Sequence, residues 1–272
     1  MKEKTISKIV SLEGIGLHSG KIGKVVLHPL PEGSGVIFKN IDTGEEIQAS
    51  IDNVANTKRG ITLKGKTSIV KTPEHLLSAL YVMGVSNVLI EYRNEIPIGD
   101  GSAATFIKLI KSAKILDQKR EREEYVLEES VFVREGCKVV IGLPFQGFRI
   151  RYLIDYPDTY IESEYYDFLF DEEFFIEDIS KARTFGFYDE LSKLRSENLS
   201  LGGSLKNAIL VDKENIYGEL AVKREFVKHK IIDFLGDISL LNRFIRGDFI
   251  LIKAGHDMHI KIAKKLKELG GF

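Results

Sequence analysis

Three of the six histidines, His75, His229 and His256, lie in segments where residue type and spacing can hold a metal ion or move a proton. In H-K-I-I-D-F-L-G-D (229–237), His229, Asp233 and Asp237 recur at i, i+4 and i+8 and so share one helix face. An imidazole and a carboxylate one turn apart can both bind one Zn²⁺, each at about 2.0–2.2 Å. Asp237, a turn further on, can orient a neighbour. The same spacing also describes a solvent-facing polar stripe; if buried, such a stripe needs satisfied partners. Glu74–His75 adds a second pair. A carboxylate in a first helical turn is favoured by the helix dipole alone, yet beside a zinc-binding His it can also deprotonate metal-bound water. With His75, His229 and Asp233 as ligands, a fourth position stays open, the pattern of a catalytic rather than a structural zinc site.

His256, in K-A-G-H-D, is read as a loop residue between a strand and a helix. A cationic His there can stabilise an oxyanion and protonate a leaving amine, or it can be an N-cap-region residue without catalytic consequence. His18 reads as structural in a Gly-rich turn, His28 as a loop residue before Pro29, and His259 as a surface residue of the last helix. H-E-x-x-H, G-x-S-x-G, Walker A and G-x-G-x-x-G motifs are all absent.

The elements that must position these residues are readable in outline. Strands and turns fill the first third: TISKIVSLEG, GKVVLHPL and SGVIFKN. A helix is expected from Lys71, capped by Thr72 with Pro73 at its first position, and closed by Gly84. Strand SNVLIEY, loop EIPIGDGS and a helix over 103–116 follow. The charge run DQKREREE reads as a solvated linker and sets the domain boundary, 1–120 and 121–272. The second half repeats the order: strands YVLEESVFV, CKVVIGL, GFRIRYLI and IESEYYDFLF, a long helix over about 224–241, strand DFILIKA, a loop, and a helix over 258–269 capped by Gly270. Both halves end in helix–strand–loop–helix, which suggests a duplicated α+β domain packed helix layer to helix layer.

Composition bounds the rest. At 272 residues, 43% hydrophobic and 29% charged, the chain is an ordinary globular sequence of one or two domains. A net charge of −1 gives no basic excess for nucleic acid. Cys137, the lone cysteine, excludes an internal disulfide and a thiolate-rich zinc cluster and fits a reducing compartment. The N-terminus lacks the apolar core of a signal peptide and no run is long enough to span a bilayer, so a cytoplasmic location without membrane insertion is expected.

Taken together, the motifs resemble the zinc-dependent UDP-3-O-acyl-N-acetylglucosamine deacetylases of lipid A biosynthesis. The matching segments are G-I-G-L-H-S-G (14–20), K-T-P-E-H-L-L-S-A-L (71–80), E-I-P-I-G-D-G-S-A (95–103), A-R-T-F (182–185), L-G-G-S-L-K-N (201–207), H-K-I-I-D-F-L-G-D (229–237) and A-G-H (254–256). They run in the family's order almost end to end.

The resemblance implies two similar α+β domains, each a sheet with two helices, packed with helices inward and the active site between them. It also implies a small-sheet insert in the first domain and a β-α-β insert over about 186–215 in the second. By the same resemblance, His75, His229 and Asp233 hold one Zn²⁺ per chain, Fe²⁺ being an alternative in the cell. Glu74 is the general base, His256 the electrostatic stabiliser and general acid, and Asp237 its carboxylate partner. Thr184 hydrogen-bonds the oxyanion, and Lys230 contacts substrate near the metal. Phe185, Leu201, Gly202 and Gly203 form the wall of the acyl passage. The expected substrate is an acylated UDP-amino sugar and the expected state a monomer. Three departures stand out: Gly99 before D-G-S-A, where a large residue is usual; the segment Y-G-E-L-A-V-K-R-E-F before His229; and Asp257, whose carboxylate would raise the pKa of His256 if it pointed that way. A zinc hydrolase of another N-acyl amino sugar, and a non-catalytic sugar-nucleotide or lipid-binding protein on this fold, are the competing readings.

Overall fold

The computed structural model covers residues 1–272. Two mixed sheets dominate it, and they share one topology. In the first, the hairpin Val10–Ile15/Ile22–Pro29 and the hairpin Val36–Asn40/Glu46–Gln48 flank the strand Val88–Arg93. In the second, the hairpins Val131–Glu135/Lys138–Leu143 and Phe148–Tyr156/Glu162–Leu169 flank Phe244–Ile252. Each central strand pairs antiparallel with the first hairpin and parallel with the second. Helix α1 (Glu74–Val82) precedes the first central strand and α2 (Ala104–Ser112) follows it. After the short helices α3 (Glu172–Glu177) and α4 (Leu191–Ser196), α5 (Glu225–Ser239) and α6 (His256–Gly270) flank the second central strand in the same way. The duplication suspected from the order of elements is therefore real at the level of strand connectivity. All sheets lie wholly before or wholly after residues 122–123.

The inserts occupy equivalent places, between the second hairpin and the first long helix. A three-stranded sheet, Val54–Asn56, Thr62–Lys64 and Ile69–Lys71, fills the first. In the second, Phe185–Phe187 and Ile209–Val211 run parallel with α4 between them, and Ile216–Tyr217 adds an antiparallel edge.

Every residue of α1 is buried, and α5 is buried through Ile238 except at Lys230. The reason is that α1 packs on α2 to one side and across α5 on the other, while α5 packs also on α6. One core of 61 buried residues runs through both halves, so the helices form a shared inner layer. Burying Leu76, Leu77 and Leu80 contributes roughly 1.5–3 kcal/mol each.

Several expectations are corrected. Residues 115–121 form a strand antiparallel to Lys2–Ile6, not a linker; its charges face solvent on a two-stranded ribbon and pair across it, as Lys2 does with Glu121. That strand also ends α2 at Ser112, short of 116. Thr72 does not cap α1: its φ is 58° and its hydroxyl donates to Glu95 Oε1 at 2.8 Å. His28 lies within Ile22–Pro29, on the face opposite Val25 and Leu27, and bonds Glu91 Oε2 at 3.0 Å. His256 is the first residue of α6, behind Gly255, and the left-handed residue that closes this helix is Gly271. His259 is fully buried. Gly99 sits at φ 61°, and a Cβ there would meet Thr105 at 2.8 Å, so this turn takes glycine in place of the larger residue.

Candidate metal centre

Where α1 crosses α5, the two motifs meet. His75 Nε2 lies 3.7 Å and His229 Nε2 3.5 Å from the same oxygen, Asp233 Oδ1. The two imidazoles stand edge to face, with centroids 4.9 Å apart. Ligand atoms about 2.0–2.2 Å from a tetrahedral ion are about 3.3–3.6 Å from one another, so this donor set fits one. His229 is already oriented as a ligand. Its Nδ1–H donates to the Ala182 carbonyl at 3.1 Å, which leaves the Nε2 lone pair for an ion. Burial without a full set of polar partners pulls the His229 pKa down to about 3, so the ring is neutral. His75 Nδ1 is buried and has no hydrogen-bond partner.

The other Asp233 oxygen is also committed. Oδ2 accepts from Lys230 Nζ at 2.8 Å and lies 3.8 Å from His256 Nε2. Burial alone would raise the Asp233 pKa, but Lys230, His229 and His256 outweigh it and hold the carboxyl well below its usual range. Glu74, one residue before His75, is buried and anchored by the Ile61 N–H, which donates to Oε2 at 3.2 Å. Desolvation pushes its pKa up.

His256 faces the site from α6. Its Nδ1–H donates to Asp237 Oδ2 at 2.7 Å, so Nε2 is the free end. Burial pulls its pKa down, but Asp237 and then Asp233 carry it up to about 9. A cation in a first helical turn opposes the dipole by about 0.3–1 kcal/mol, and Asp237 offsets that. Asp257 does not contribute: its carboxylate turns away to Lys138 Nζ at 2.9 Å.

Glu74, His75, Thr184, Phe185, His229, Lys230, Asp233 and His256 line one cavity of about 280 Å³, with Asp237 directly behind His256. Thr184 is fixed by its own backbone: its N–H donates to Gly101 O at 2.8 Å and its carbonyl accepts from Ile209 N at 2.9 Å. The motif A-R-T-F thus orients His229 through Ala182 and presents Thr184 and Phe185 to the cavity. Arg183 holds the segment to α5, donating Nε–H to the buried Glu225 at 2.8 Å. The altered segment before His229 serves the fold in the same way, Arg224 donating to the Tyr165 carbonyl and the Ala221 N–H donating to Glu225. Leu201, Gly202 and Gly203 lie outside the cavity lining. The Leu201 and Gly202 N–H groups donate to His18 O and Leu17 O, so the stretch backs Leu17, which does line it, and Leu201 is 49% exposed.

The sequence reading missed Tyr156, Phe187, Arg59 and Glu190 on the cavity wall. It also missed Glu95, a buried carboxylate that takes the His18 and Ser19 N–H groups and the Thr72 hydroxyl, and so docks the 14–20 turn beside α1. Glu95 opens a matched motif, its only signal.

Comparison with known proteins agrees with the geometry. Residues 3–268 match the family model described as LpxC, UDP-3-O-acyl N-acetylglycosamine deacetylase. The chain belongs to this family. Proteins named UDP-3-O-acyl-N-acetylglucosamine deacetylase from Campylobacter fetus and Marinobacter nauticus are each 38% identical, over 98% of this chain and 92% and 90% of theirs. One of the same name from Myxococcus xanthus is 39% identical over 97% of this chain and 86% of its own. The family is one of metalloenzymes, and the buried His75, His229 and Asp233 can hold such an ion. No helix is long and apolar enough to cross a membrane.

Proposed function

We propose that the protein hydrolyses the N-acetyl group of UDP-3-O-acyl-N-acetylglucosamine, releasing acetate and UDP-3-O-acylglucosamine in lipid A biosynthesis. One observation supports the residue roles above all: Glu74 and a three-donor set from two helices meet in one cavity, with His256 facing them from a third. His75, His229 and Asp233 hold Zn²⁺, one per chain; Fe²⁺ suits the same donors. When bound, the ion acidifies water and polarises the acetamide carbonyl.

Glu74 takes the proton of the attacking water, from a position set by the Ile61 N–H. Thr184 donates its hydroxyl hydrogen to the developing oxyanion, on a backbone locked at both faces. His256, held by Asp237, adds positive charge there and delivers a proton from Nε2 to the departing amine. Lys230 steadies Asp233 and contacts the substrate at the metal's edge. Phe185, with Phe187 and Tyr156, gives an apolar wall for the acyl chain, and the 201–203 stretch supports it from behind Leu17. The protein works as a cytoplasmic monomer of two domains, 1–120 and 121–272; sheets that lie wholly before or wholly after residues 122–123 support a division close to that boundary.

The test is Glu74→Gln. It keeps the hydrogen-bonding shape but cannot accept a proton, so metal content stays at the wild-type level while acetate release falls by about 10²–10⁴-fold. Near-normal turnover would overturn the assignment.

A further inference from the structure

Asp237 carries a second imidazole. On α6, His256 and His259 stand at i and i+3, and both reach Asp237 on α5. His259 Nδ1 lies 2.7 Å from Asp237 Oδ2, the same oxygen at the same distance as His256 Nδ1. A carboxylate only accepts, so both rings donate Nδ1–H to it. Beyond His259, Nε2 is 2.8 Å from the Tyr152 hydroxyl, and that hydroxyl is 2.9 Å from the Ala254 carbonyl. Asp237, His259 and Tyr152 are each 0% exposed.

Charge balance fixes the protonation of His259. Two imidazolium rings on one carboxylate would leave an uncompensated positive charge in the core, which burial strongly disfavours. With the cationic role on His256, His259 is the neutral partner: it donates Nδ1–H to Asp237, and its Nε2 and the Ala254 carbonyl share the single Tyr152 hydroxyl hydrogen. Burial, which lowers the His259 pKa against the pull of Asp237, acts in the same direction. Tyr152 closes the arrangement, since Ala254 lies two residues before His256. The hydroxyl therefore ties the strand Phe148–Tyr156 both to the far ring and to the backbone that carries the acid.

We infer that His259, braced by Tyr152, is a positioning residue that pins the Asp237 carboxylate and thereby sets the orientation of His256 in the cavity. This rests on His256 being the acid of the proposed reaction. His259 touches no substrate. Its contribution is to remove the carboxylate's freedom to rotate, and with it the freedom of the His256 ring it holds.

The test uses the zinc-loaded enzyme and acetate release from the acylated substrate. His259→Phe keeps the ring's bulk and removes the donor; kcat falls about 10–100-fold at near-constant KM and metal content, as for other outer hydrogen-bond partners. His259→Asn returns an N–H donor one bond from Cγ, where Nδ1 stood, and restores kcat to within about threefold of wild type. In a His256→Ala background, His259→Phe has no further effect. Proton NMR supplies a readout independent of turnover: two slowly exchanging imidazole Nδ1–H signals in the wild type, with the His256 signal kept in His259→Asn and broadened in His259→Phe. An unchanged kcat in His259→Phe, or the same loss when His256 is already absent, overturns the inference. Should His259→Phe not fold, Tyr152→Phe removes one oxygen from the same brace; kcat falls at least threefold at constant KM, and an unchanged kcat overturns the inference. A fully active His256→Ala would instead sink the acid assignment itself, a separate failure.

Discussion

A Cβ placed on Gly236 would lie 2.2 Å from the backbone carbonyl oxygen of Glu74. At that point α5 crosses α1 backbone to backbone, and the crossing decides the chemistry. Glu74 and His75 open α1, while His229, Asp233 and Asp237 lie on the face of α5 on either side of Gly236. Only with the helices this close can His75 of α1 come within 3.7 Å of Asp233 on α5.

Gly236→Ala therefore forces the helices apart at the centre of the site, because the opposing atom is backbone and cannot rotate away. The expected cost is about 1–3 kcal/mol of stability, with metal affinity down about tenfold or more. Thermal unfolding and metal analysis after dialysis check both. Wild-type values for both would mean that the crossing does not hold the site.

Removing a donor separates ligands from base. His75→Ala and Asp233→Ala each lose bound metal on purification, in contrast to the retention expected for Glu74→Gln. Asp233→Ala also frees Lys230, whose Nζ loses its 2.8 Å carboxylate partner. Full metal occupancy in both ligand variants would break the donor assignment.

Much of this was legible in the sequence, for physical reasons. Asp233 and His229 obey helical spacing, and Ile231, Ile232, Phe234 and Leu235 cover much of the rest of α5, so the candidate metal-binding stripe stood out. His259 did not, although it is in phase with the buried Ile262, Ala263 and Leu266; the neighbouring lysines of α6 drew it towards the surface. The strand over 115–121 was hidden for a different reason. Its partner, Lys2–Ile6, lies over a hundred residues away, and both sides of the ribbon are polar enough that no alternation marks it. Thr72 looked like a cap because its type and position suit one, whereas Glu95, 23 residues on, claims its hydroxyl.

Acid sensitivity has a local marker in the first half. Glu45 takes the Thr67 hydroxyl and the Lys66, Thr67 and Ser68 N–H groups. The Thr67 hydroxyl foremost, with burial opposing and the backbone donors adding to it, lowers its pKa from 4.5 to about 2. A folded pKa below the unfolded one gives stability that is present above about 4.5 and is lost as pH falls towards about 2. The Tm gap between wild type and Glu45→Gln should thus be widest near pH 6 and narrow steadily below pH 4.5. A gap that stays constant across that range would contradict the assignment.

The most direct test of the central claim is acetate release by the purified protein from UDP-3-O-acyl-N-acetylglucosamine and, in parallel, from the same sugar nucleotide without its acyl chain. Each is assayed as isolated, after chelation, and after Zn²⁺ is returned. The account predicts release from the acylated substrate alone, abolished by the chelator and restored by zinc. Equal release from both substrates would contradict the acyl-chain wall, and no release from either by the zinc-bound protein would contradict the deacetylase itself.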